Sequence, residues 1–328
     1  MDQFLSCDWG TSSFRLWLVR TENAEILATK KSSKGIAATF NSLGEREKNN
    51  PEERLLFYLR IIGEAIDEIQ QEQGISLAGV PLVISGMASS SIGMAELPYN
   101  SLPFGVDGKN IETACFEANA AFAHPVLLIS GVKSNDDVMR GEETQLVGII
   151  ADSGAADVNG IYIFPGTHSK HIKVKDGQVT GFKTYMTGEI FDLLCRESIL
   201  KGGIKKNEDL HHPNCLQRFK EGVRDAIDTN LLHQAFRVRT NDLFGKLSKK
   251  ENFHYLSGLL LGAELESLSS AADLPVYVCS ESHLQFRYET ALDVLGIKNN
   301  AHVFPAGWAE EAVVRGQLKI YSHFNRNV

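Results

Sequence analysis

Apolar and polar positions along the chain predict alternating strands and helices, the pattern of an α/β protein. Two apolar runs within Phe4–Val19 flank a turn at Gly10-Thr11-Ser12-Ser13 and predict a hairpin of antiparallel strands. A second copy of this pattern spans residues 161–174, where Gly166-Thr167-His168-Ser169 forms the turn. The two turns lie 156 positions apart, about the length of one domain, so each hairpin is expected in its own domain.

The remaining segments continue the alternation. Strands are predicted at residues 25–29, 81–85, 126–129, 178–185, 275–279 and 301–304, and helices at residues 51–73, 111–122, 186–199, 215–236, 251–271, 284–295 and 309–318. The helix after Asn50 has the clearest boundaries, because Asn50 can cap it, Pro51 suits its first position and Gly74 can end it. Residues 30–50 and 200–215 are polar, contain glycine and are predicted to be loops.

The length of 328 residues predicts two domains. Residues 151–159 are small and polar and mark the predicted crossing, so the first domain is assigned to residues 1–153 and the second to residues 154–328. The last helix is expected to pack back on the first domain. Gly258 and Gly262 lie four positions apart in a predicted helix and indicate close helix packing.

Charge and composition argue against several classes of function. The formal net charge is −8 and no basic cluster is longer than Lys30-Lys31, which argues against nucleic acid as the main partner. No apolar run approaches the roughly 18 residues of a membrane span, and we expect no secretion signal because Asp2 and Asp8 interrupt the first apolar residues. Five scattered cysteines without a C-x-x-C motif predict reduced thiols and a cytoplasmic protein.

The first turn is a candidate phosphate site. Backbone N–H groups and short hydroxyls at its tip can cradle a phosphate, and Asp8 at its mouth can hold Mg²⁺ through water. A plain hairpin, whose glycine only satisfies the turn, is the alternative. A small-residue loop with Gly86, Met87 and Ser89 follows a predicted buried strand, where open α/β sheets place ligands, although a plain polar turn explains it equally well.

A dense group of polar residues lies at Ser134–Gln145, between two apolar segments, and ends in a predicted helix start. A solvated helix start, with acids favoured by the helix dipole, is one interpretation. Function is the preferred interpretation, because Arg140 beside Glu142 and Glu143 would suit an anionic sugar and a general base.

Two related turns on two domains, with one metal carboxylate between them, resemble the actin-like ATPases, which hold a nucleotide in a cleft between two ribonuclease H-like domains. The runs that narrow this resemblance are Asp8-Trp9-Gly10, Arg15-Leu16-Trp17-Leu18, Gly86-Met87, Val138-Met139-Arg140-Gly141-Glu142-Glu143-Thr144-Gln145-Leu146, Pro165-Gly166-Thr167-His168, Met186-Thr187-Gly188-Glu189, and Leu256-Ser257-Gly258-Leu259-Leu260 with Gly262-Ala263-Glu264. Together they resemble the 2-dehydro-3-deoxygalactonokinases, also called 2-keto-3-deoxygalactonate kinases.

This resemblance implies ATP-dependent phosphorylation of 2-dehydro-3-deoxy-D-galactonate at its 6-hydroxyl, the kinase step of D-galactonate catabolism. It implies ATP with Mg²⁺ and a small sugar acid as ligands, and a homodimer is a reasonable expectation. Two positions depart from the family pattern. Ser280 and Glu281 stand in place of a glycine-containing turn, and Trp308 stands where the family tends to have an acidic residue.

The resemblance also implies residue roles. Asp8 would hold Mg²⁺, and Glu142 would act as the general base, as the first Glu of a similar helix start does in exopolyphosphatases. Asp137 is the alternative base, because other sugar kinases use an Asp before this helix. Arg140 would bind the substrate carboxylate, and the substrate site would further include Glu143, Gly86, Met87, Ser89, Thr187 and Glu189. The nucleotide site would comprise Gly10, Thr11, Ser12, Arg15, Gly166, Thr167, His168, Lys170 and Ser280.

Three alternatives remain open from the sequence. Lys170 either neutralises the transferring phosphoryl group or is a solvent-facing strand residue. Two other enzymes are alternatives to the kinase named above: a kinase for another 2-keto-3-deoxy sugar acid and an exopolyphosphatase-like phosphohydrolase. A sugar-binding sensor or repressor is the non-enzymatic alternative, but such repressors carry a DNA-binding helix-turn-helix ahead of the first turn, and none is expected here.

Overall fold

The structure, a computed structural model, describes residues 2–153, 158–271 and 274–326. Contacts divide the chain into two compact units. The first comprises Met1–Val158, Val174–Gly181 and Ala309–Val328, and the second comprises Asn159–Lys173 and Phe182–Trp308. The predicted domain crossing at residues 151–159 includes residues 154–157, which lie outside the described residues, so the boundary at residue 153 stays a prediction.

Strands and helices alternate through both units. The strands are β1 (Gln3–Trp9), β2 (Phe14–Arg20), β3 (Ile26–Ser32), β4 (Leu82–Gly86), β5 (Asn100–Ser101), β6 (Phe104–Gly105), β7 (Thr113–Phe116), β8 (Val126–Ile129), β9 (Val132–Lys133), β10 (Val138–Met139), β11 (Gly160–Phe164), β12 (Ser169–Lys175), β13 (Gln178–Tyr185), β14 (Val276–Val278) and β15 (Ala301–Val303). The helices are α1 (Ile36–Asn41), α2 (Glu45–Asn49), α3 (Pro51–Gln73), α4 (Glu142–Ser153), α5 (Thr187–Arg196), α6 (Pro213–Asp225), α7 (Leu231–Leu243), α8 (Lys249–Leu265), α9 (Ser282–Val294) and α10 (Trp308–Arg326).

The main sheet of the first unit has the order β3-β2-β1-β4-β8-β7 and contains the predicted N-terminal hairpin. Strands β1 and β2 pair antiparallel, with Asp8 opposite Arg15. Strand β1 also pairs parallel with β4, with Trp9 opposite Gly86. Because parallel strands end at the same edge of a sheet, Asp8 and the loop after β4 come together there.

Helix α3 has the ends that the sequence predicts. The Asn50 side chain accepts hydrogen bonds from the N–H groups of Glu52 and Glu53, and Gly74 ends the helix in the left-handed region with φ of 64°. Its buried face packs into the core of the first unit through Tyr58, Leu59, Ile62, Ile66 and Ile69. The periodicity of these apolar residues therefore reports a real core contact.

Helices α4 and α10 approach each other at backbone contact distance. A Cβ added to Gly148 would lie 1.8 Å from the carbonyl oxygen of Ala312, and one added to Gly316 would lie 1.9 Å from that of Thr144. No side chain fits in either place. The start of α4, where the polar cluster of the sequence lies, is thus fixed against the last helix.

Gln317 joins α10 to the two central strands. Its side chain is fully buried, and its amide nitrogen donates to the Cys7 carbonyl and to Ser85 Oγ at 2.8 Å each. Its amide oxygen accepts from Ser6 Oγ at 2.7 Å. Buried polar groups are costly unless paired, so this pattern specifies how α10 lies on β1 and β4.

The sheet of the second unit contains the second predicted hairpin and follows the order β15-β14-β11-β12-β13. Strands β11, β14 and β15 pair in parallel. The predicted tight turn between β12 and β13 lies at Asp176 and Gly177, which both have positive φ, as turns of this kind require. The tip of the hairpin formed by β12 and β13, Val174–Gly181, belongs to the first unit. There, β6 pairs with Gln178 and Val179.

Helices α6 and α8 pack closely in the second unit. A Cβ on Gly258 would lie 2.0 Å from the Phe219 carbonyl oxygen, and one on Gly222 would lie 2.1 Å from that of Tyr255. A Cβ on Gly262 would meet the same helix. The prediction that Gly258 and Gly262 serve helix packing is confirmed.

One predicted helix, at residues 111–122, is wrong. Residues Thr113–Phe116 form the edge strand β7, which pairs antiparallel with β8, with Ala114 opposite Leu128, and the residues up to Phe122 are loop and turn. Backbone pairing with a buried strand outweighs the weak helical pattern of an Ala- and Glu-containing stretch.

Three other boundaries differ from the prediction. The predicted loop at residues 30–50 contains the short helices α1 and α2, and the predicted helix at residues 215–236 is two helices. These are separated near Asp228, which has a φ of 52°, and Asn230 caps the second of them. The long helix at residues 251–271 changes to a 3₁₀ segment at Glu266. Over the described ranges, no helix is long and apolar enough to span a membrane.

We expect the contact between α4 and α10 to be sensitive to one methyl group. Gly316→Ala should lower the free energy of unfolding by about 3 kcal/mol, because the new Cβ cannot fit against the Thr144 carbonyl. Gly63→Ala is the matched control inside a helix, since its Cβ would meet only Phe122 ring atoms at 3.8 Å or more. The control should be neutral or stabilising. Urea unfolding of both variants measures the difference, and equal stabilities would contradict the contact.

Candidate active site

The turn of the first hairpin is held from behind by the start of α1. Gly10 N–H donates to the Ser13 carbonyl at 2.9 Å, and the Ile36 and Ala37 N–H groups donate to the carbonyls of Gly10 and Thr11 at 2.9 and 3.2 Å. A Cβ on Gly35 would lie 2.2 Å from the Thr11 carbonyl oxygen, so only glycine fits there. The side chains of Thr11 and Ser12 stay exposed on the other side.

Asp8 lies at the end of β1 beside this turn and is largely buried. Its Oδ2 accepts from Arg15 Nη1 at 3.2 Å across the strand pair, so Arg15 lies beside Asp8, and its contact with a nucleotide stays a prediction. Burial raises the pKa of Asp8, the Arg15 guanidinium opposes this shift, and the nearby carboxylates of Glu142 and Glu310 raise the pKa further. The site therefore collects negative charge that one arginine only partly balances.

Two glycines let the end of β4 and the start of α4 reach Asp8. Gly86 has a φ of 86°, and a Cβ there would lie 2.9 Å from the Trp9 carbonyl oxygen and 3.2 Å from Asp8 Oδ1. Gly141 has a φ of 117°, and its Cβ would lie 3.4 Å from Gly86 Cα. Asp8, Gly86 and Glu142 are thus brought together as the sequence predicts.

Glu142 and Glu143 occupy different environments at the start of α4. The half-buried Glu142 accepts from the Arg140 N–H at 3.1 Å. Glu143 is fully buried, and both of its oxygens accept from the Gly141 N–H, at 2.9 and 2.8 Å. Burial, followed by the charge of Glu142, raises the pKa of Glu143 to about 7. This geometry gives Glu143 a structural role, and its predicted contact with substrate stays a prediction.

Asp137 lies in the turn between β9 and β10. One of its carboxylate oxygens accepts from the neighbouring Val138 N–H at 2.7 Å, and its own N–H donates to Ser134 Oγ. The Glu142 carboxylate raises the pKa of Asp8. Glu142 therefore lies in the electrostatic environment of Asp8.

Arg140 connects the start of α4 to the loop after β4. Its Nη1 donates to the Ser89 carbonyl at 2.7 Å and to Ser89 Oγ at 2.6 Å. Its Nε and Nη2 make longer contacts of 3.4 Å with Tyr99 Oη and the Leu97 carbonyl, and the guanidinium lies 4.1 Å from the Tyr99 ring centroid. Ser89 is fully buried, while Met87 is partly exposed. Arg140 is thus held by two short hydrogen bonds to Ser89, two longer ones and the Tyr99 ring.

In the second unit, the turn after β11 is backed by the start of α5. A Cβ on Gly188 would lie 2.6 Å from the Gly166 carbonyl oxygen, and Glu189 N–H donates to the Thr167 carbonyl at 3.1 Å. His168 Nε2 and the Glu189 carboxylate form a further contact. This arrangement repeats that of the first turn, where a glycine at a helix start also meets the turn backbone.

Glu264 on α8 is a buried centre of hydrogen bonds in the second unit. Its Oε1 accepts from Ser169 Oγ at 2.8 Å and Tyr288 Oη at 2.9 Å, and lies 3.0 Å from His171 Nε2. Its Oε2 accepts from Thr187 Oγ1. Burial alone would raise the pKa of Glu264, but the bonds from His171 and the hydroxyls hold it below its usual range. The carboxylate joins the second turn to three helices.

Sequence reasoning assigned no role to Glu264. The available signal was a single acidic residue in the mostly apolar stretch of residues 256–265, within a run that the sequence analysis quotes. The same network shows Thr187 binding within the protein. Lys170 on β12 is buried, and its Nζ donates to the His168 carbonyl. The interpretation of Lys170 as a solvent-facing strand residue is therefore wrong.

A cavity of about 700 Å³ opens beside this turn, within the second unit. Its aromatic and aliphatic lining includes Phe191, Phe253, Leu260 and Phe286, and the turn residue Gly166 and the helix start at Gly188 border it. The charged members are Lys206, Glu208 and Arg287, and His283 lines the cavity as well. His211 lies in the predicted loop and is exposed, and it stacks on Phe286 with the ring centroids 4.3 Å apart. Gly166, Gly188 and Leu260 belong to runs singled out in the sequence, whereas the aromatic lining carries no motif that the sequence reveals.

Ser280 follows β14 and is only 2% exposed. Its Oγ has no hydrogen-bond partner among the described residues. The cavity is lined by the next helix start, at Ser282 and His283, rather than by Ser280. The contact of Ser280 with a nucleotide stays a prediction.

The acids at the first turn suit a loosely held Mg²⁺. Asp8 offers a carboxylate where burial and neighbouring acids disfavour negative charge, which a bound cation would relieve. In the part of the chain that the structure describes, no three His, Cys, Asp or Glu residues form a metal-binding group. Mg²⁺ suits such a site, because it keeps several waters and takes phosphate oxygens as ligands.

Relatives of known assignment match nearly the whole chain. A profile of the 2-keto-3-deoxy-galactonokinase family matches residues 8–320. The 2-dehydro-3-deoxygalactonokinase of Escherichia coli (strain K12) is 28% identical over 305 residues, which cover 90% of each chain. A Rhizobium meliloti (strain 1021) protein, provisionally given the same enzyme name, is 30% identical over 315 residues and 91% of each chain.

Solved structures show the same fold. A crystal structure from Sinorhizobium meliloti, provisionally named as the same enzyme, has a TM-score of 0.77 at 26% identity and covers 98% of this chain and 96% of its own. The ADPNP-bound activator of the 2-hydroxyisocaproyl-CoA dehydratase from Clostridium difficile has a TM-score of 0.50 at 9% identity, covers 99% and 97% of the two chains, and shares the fold alone. The predicted α/β fold of the actin-like ATPases is confirmed.

We expect Glu143 to make stability depend on pH. A carboxyl whose pKa rises on folding, here from 4.5 to about 7, binds protons more tightly in the folded state, so stability falls as pH rises through this window. Glu143→Gln removes this loss, and its free energy of unfolding should gain up to about 3 kcal/mol on the wild type between pH 4.5 and 7. Urea unfolding across that range measures it. Glu64→Gln, on an exposed face of α3, should follow the wild type, and parallel curves for all three proteins would contradict the assignment.

Glu264 should be a strong determinant of stability in the second unit. Glu264→Gln turns one acceptor oxygen into a donor that faces hydroxyl donors, and should cost about 3 kcal/mol. Tyr288→Phe removes only one donor and should cost about 1 kcal/mol. Chemical denaturation of both variants tests the ranking, and a Gln variant as stable as the wild type would show that the carboxylate is dispensable.

Proposed function

The chain belongs to the 2-keto-3-deoxy-galactonokinase family, a family of carbohydrate kinases, and we propose that it transfers the γ-phosphoryl group of ATP to the 6-hydroxyl of 2-dehydro-3-deoxy-D-galactonate. The observation that carries this proposal is the meeting of Asp8, Gly86 and Glu142 at one sheet edge, beside a turn with exposed hydroxyls. Phosphoryl transfer needs this combination of positioned backbone, acids and metal more than it needs covalent chemistry.

The first unit supplies the catalytic groups in this proposal. Gly10, Thr11 and Ser12 contact the β- and γ-phosphates, and Asp8 holds Mg²⁺ through water. The metal, when bound, neutralises charge on the phosphate oxygens. Glu142 accepts the proton of the substrate hydroxyl while the oxygen of that hydroxyl bonds to the γ-phosphorus. The bond between the γ-phosphorus and the β,γ-bridging oxygen breaks, and ADP is released.

Glu142 is supported as the base by its environment. It is partly exposed, the Arg140 N–H orients it, and it is the acid of α4 that affects the pKa of Asp8 without being sealed in the core. We therefore keep Asp137 as the alternative base only.

Arg140 is proposed to bind the carboxylate of the sugar acid. Its Nη1 is fixed by Ser89, which leaves Nε and Nη2, whose protein contacts are 3.4 Å long, as the donors that a carboxylate can take over. Gly86 and Met87, in the same loop as Ser89, are proposed to complete the sugar-acid site.

The second unit is proposed to hold the rest of ATP. Gly166, Thr167 and His168 contact the phosphates, and the adenosine occupies the aromatic cavity that begins at Gly166. A cavity of this size and lining suits a drug-sized aromatic ligand. Glu189 is joined to His168 and would position it.

This activity corresponds to the kinase step of D-galactonate catabolism, in the cytoplasm, by a protein that is expected to be a homodimer. The cysteines among the described residues are all free, with Cys7, Cys215 and Cys279 buried. A kinase for another 2-keto-3-deoxy sugar acid is the second candidate, because an epimer would present the same carboxylate to Arg140.

A coupled ADP-release assay tests the function. With Mg²⁺-ATP, turnover is expected with 2-dehydro-3-deoxy-D-galactonate and not with other 2-keto-3-deoxy sugar acids or without an acceptor. Glu142→Gln should lower kcat by about 10²- to 10⁴-fold, Asp8→Asn should abolish the metal-dependent activity, and Asp137→Asn should change kcat by less than about threefold.

Each other outcome has a definite meaning. ADP release without a sugar acid would identify a phosphohydrolase. A larger loss in Asp137→Asn than in Glu142→Gln would exchange their roles. Nucleotide binding without turnover on any sugar acid would overturn the kinase assignment of this chain.

A further inference from the structure

The aromatic cavity of the second unit contains a guanidinium that the protein only partly uses. Arg287 on α9 lines the cavity and is half-buried. Its Nη1 lies 3.2 Å from Ser257 Oγ and 3.4 Å from His254 Nδ1. Within the described residues, its Nε and Nη2 have no hydrogen-bond partner, and it forms no ion pair with a carboxylate. The guanidinium also lies over the rings of Phe219 and Phe253, 5.9 and 6.0 Å from their centroids. The protein therefore orients it without a carboxylate, and a ligand in the cavity can take its remaining donors.

His254 fixes the position of Arg287. It is fully buried, and burial, followed by the charge of Arg287, lowers its pKa to about 4, so the ring is neutral at pH 7. Because arginine only donates hydrogen bonds, His254 Nδ1 must be the acceptor, and the ring proton then lies on Nε2. Two acceptors therefore orient one end of the guanidinium, and the remaining donors are available to a cavity ligand.

Glu208 is the carboxylate whose charge acts on Arg287. It opposes the lowering of the Arg287 pKa that burial causes, but it pairs with Lys206 Nζ at 2.8 Å and lies at the exposed rim of the cavity. The cavity thus offers acceptor oxygens at Glu208 and donors at Arg287. Its walls, which include Phe253 and Phe286, suit a planar heteroaromatic ring.

The N–H donors of Arg287 can distinguish two types of purine by the groups at position 6 and N7 of the base. A 6-oxopurine presents O6 and N7, two acceptors that match a guanidinium, and Arg is the commonest partner of that edge in nucleic-acid recognition. Adenine presents N7 with the N6 amino group, a donor that Arg287 cannot pair and that Glu208 can. The cavity therefore has a partner for each type of purine.

We propose that Arg287 is a specificity residue that lets this enzyme use 6-oxopurine nucleoside triphosphates, GTP and ITP, as phosphoryl donors beside ATP. This inference rests on the proposed function, because it places the nucleobase in the cavity. The reaction is unchanged: the same γ-phosphoryl group passes to the sugar acid, and GDP or IDP leaves in place of ADP.

The test compares donors in one assay of sugar-acid phosphate formation. For the wild type, kcat/KM with GTP and with ITP should lie within about tenfold of that with ATP. Arg287→Met should lower kcat/KM for GTP and ITP at least about tenfold more than for ATP. Arg287→Lys, which keeps the charge and loses the planar fork, should lie between the two.

Arg196→Met is the matched control. Arg196 lies on α5 of the same unit, is largely exposed, pairs with Asp192 and does not line the cavity. It should keep the donor ratios of the wild type. ITP separates the reading of O6 and N7 from that of the guanine 2-amino group, since hypoxanthine lacks this group. Losses that affect GTP but not ITP would therefore contradict the role of Arg287.

Binding of ADP, GDP and IDP by calorimetry, without a sugar acid, separates this inference from the proposed function. Activity with ATP alone, or donor ratios unchanged in folded Arg287→Met, would overturn the role of Arg287 and leave the kinase assignment intact. Nucleotide binding that depends on Arg287 while no sugar acid is phosphorylated would overturn the proposed function and support the base contact.

Discussion

Close backbone contact between neighbouring elements fixes the candidate active site of the first unit. Gly86 and Gly141 have no side chains, so the end of β4 and the start of α4 can lie against Asp8. Any Cβ at Gly86 would meet the carbonyl of Trp9 or the Asp8 carboxylate. This constraint also determines the electrostatics of the site. The close contact at the start of α4 brings Glu142 near enough for its charge to raise the pKa of Asp8.

The constraint extends beyond the site. The start of α4 is held in place because the helix backbone packs directly on α10 at Thr144 and Gly148, and α10 in turn is bonded to β1 and β4 through Gln317. The strand end, the helix start and the last helix therefore form one connected unit. A rigid support of this kind is what a catalytic carboxylate needs, since small errors in position are costly in phosphoryl transfer.

The second unit solves a similar problem with a different interaction. There, Gly188 again allows a helix start to meet a turn, but a buried carboxylate, Glu264, joins the turn to the surrounding helices. Buried charge is tolerated only where donors satisfy it, and four side chains do so here. Both turns are thus held in place by contacts within the protein, which would reduce the cost of binding phosphate in the proposed reaction.

The sequence by itself determined the two hairpin turns, the capped helix α3 and the family, because each is written in local residue types. Glycine, hydroxyl and acidic residues at fixed spacing specify a turn or a cap through contacts within a few positions. Family runs such as Arg140–Leu146 preserve this local information along the chain. Asp8 and Glu142 were nominated in this way.

Only the tertiary structure decided which nominated residues face a ligand and which hold the protein together. Hydrogen bonds within the protein occupy the side chains of Glu143, Ser89 and Thr187. Arg287 lines the cavity although its stretch of sequence contains no motif. Within residues 111–122, Thr113–Phe116 form a strand because β8 offers a pairing partner. Burial and pairing arise between residues far apart in the chain, and local patterns contain no record of which distant group will lie beside a given side chain.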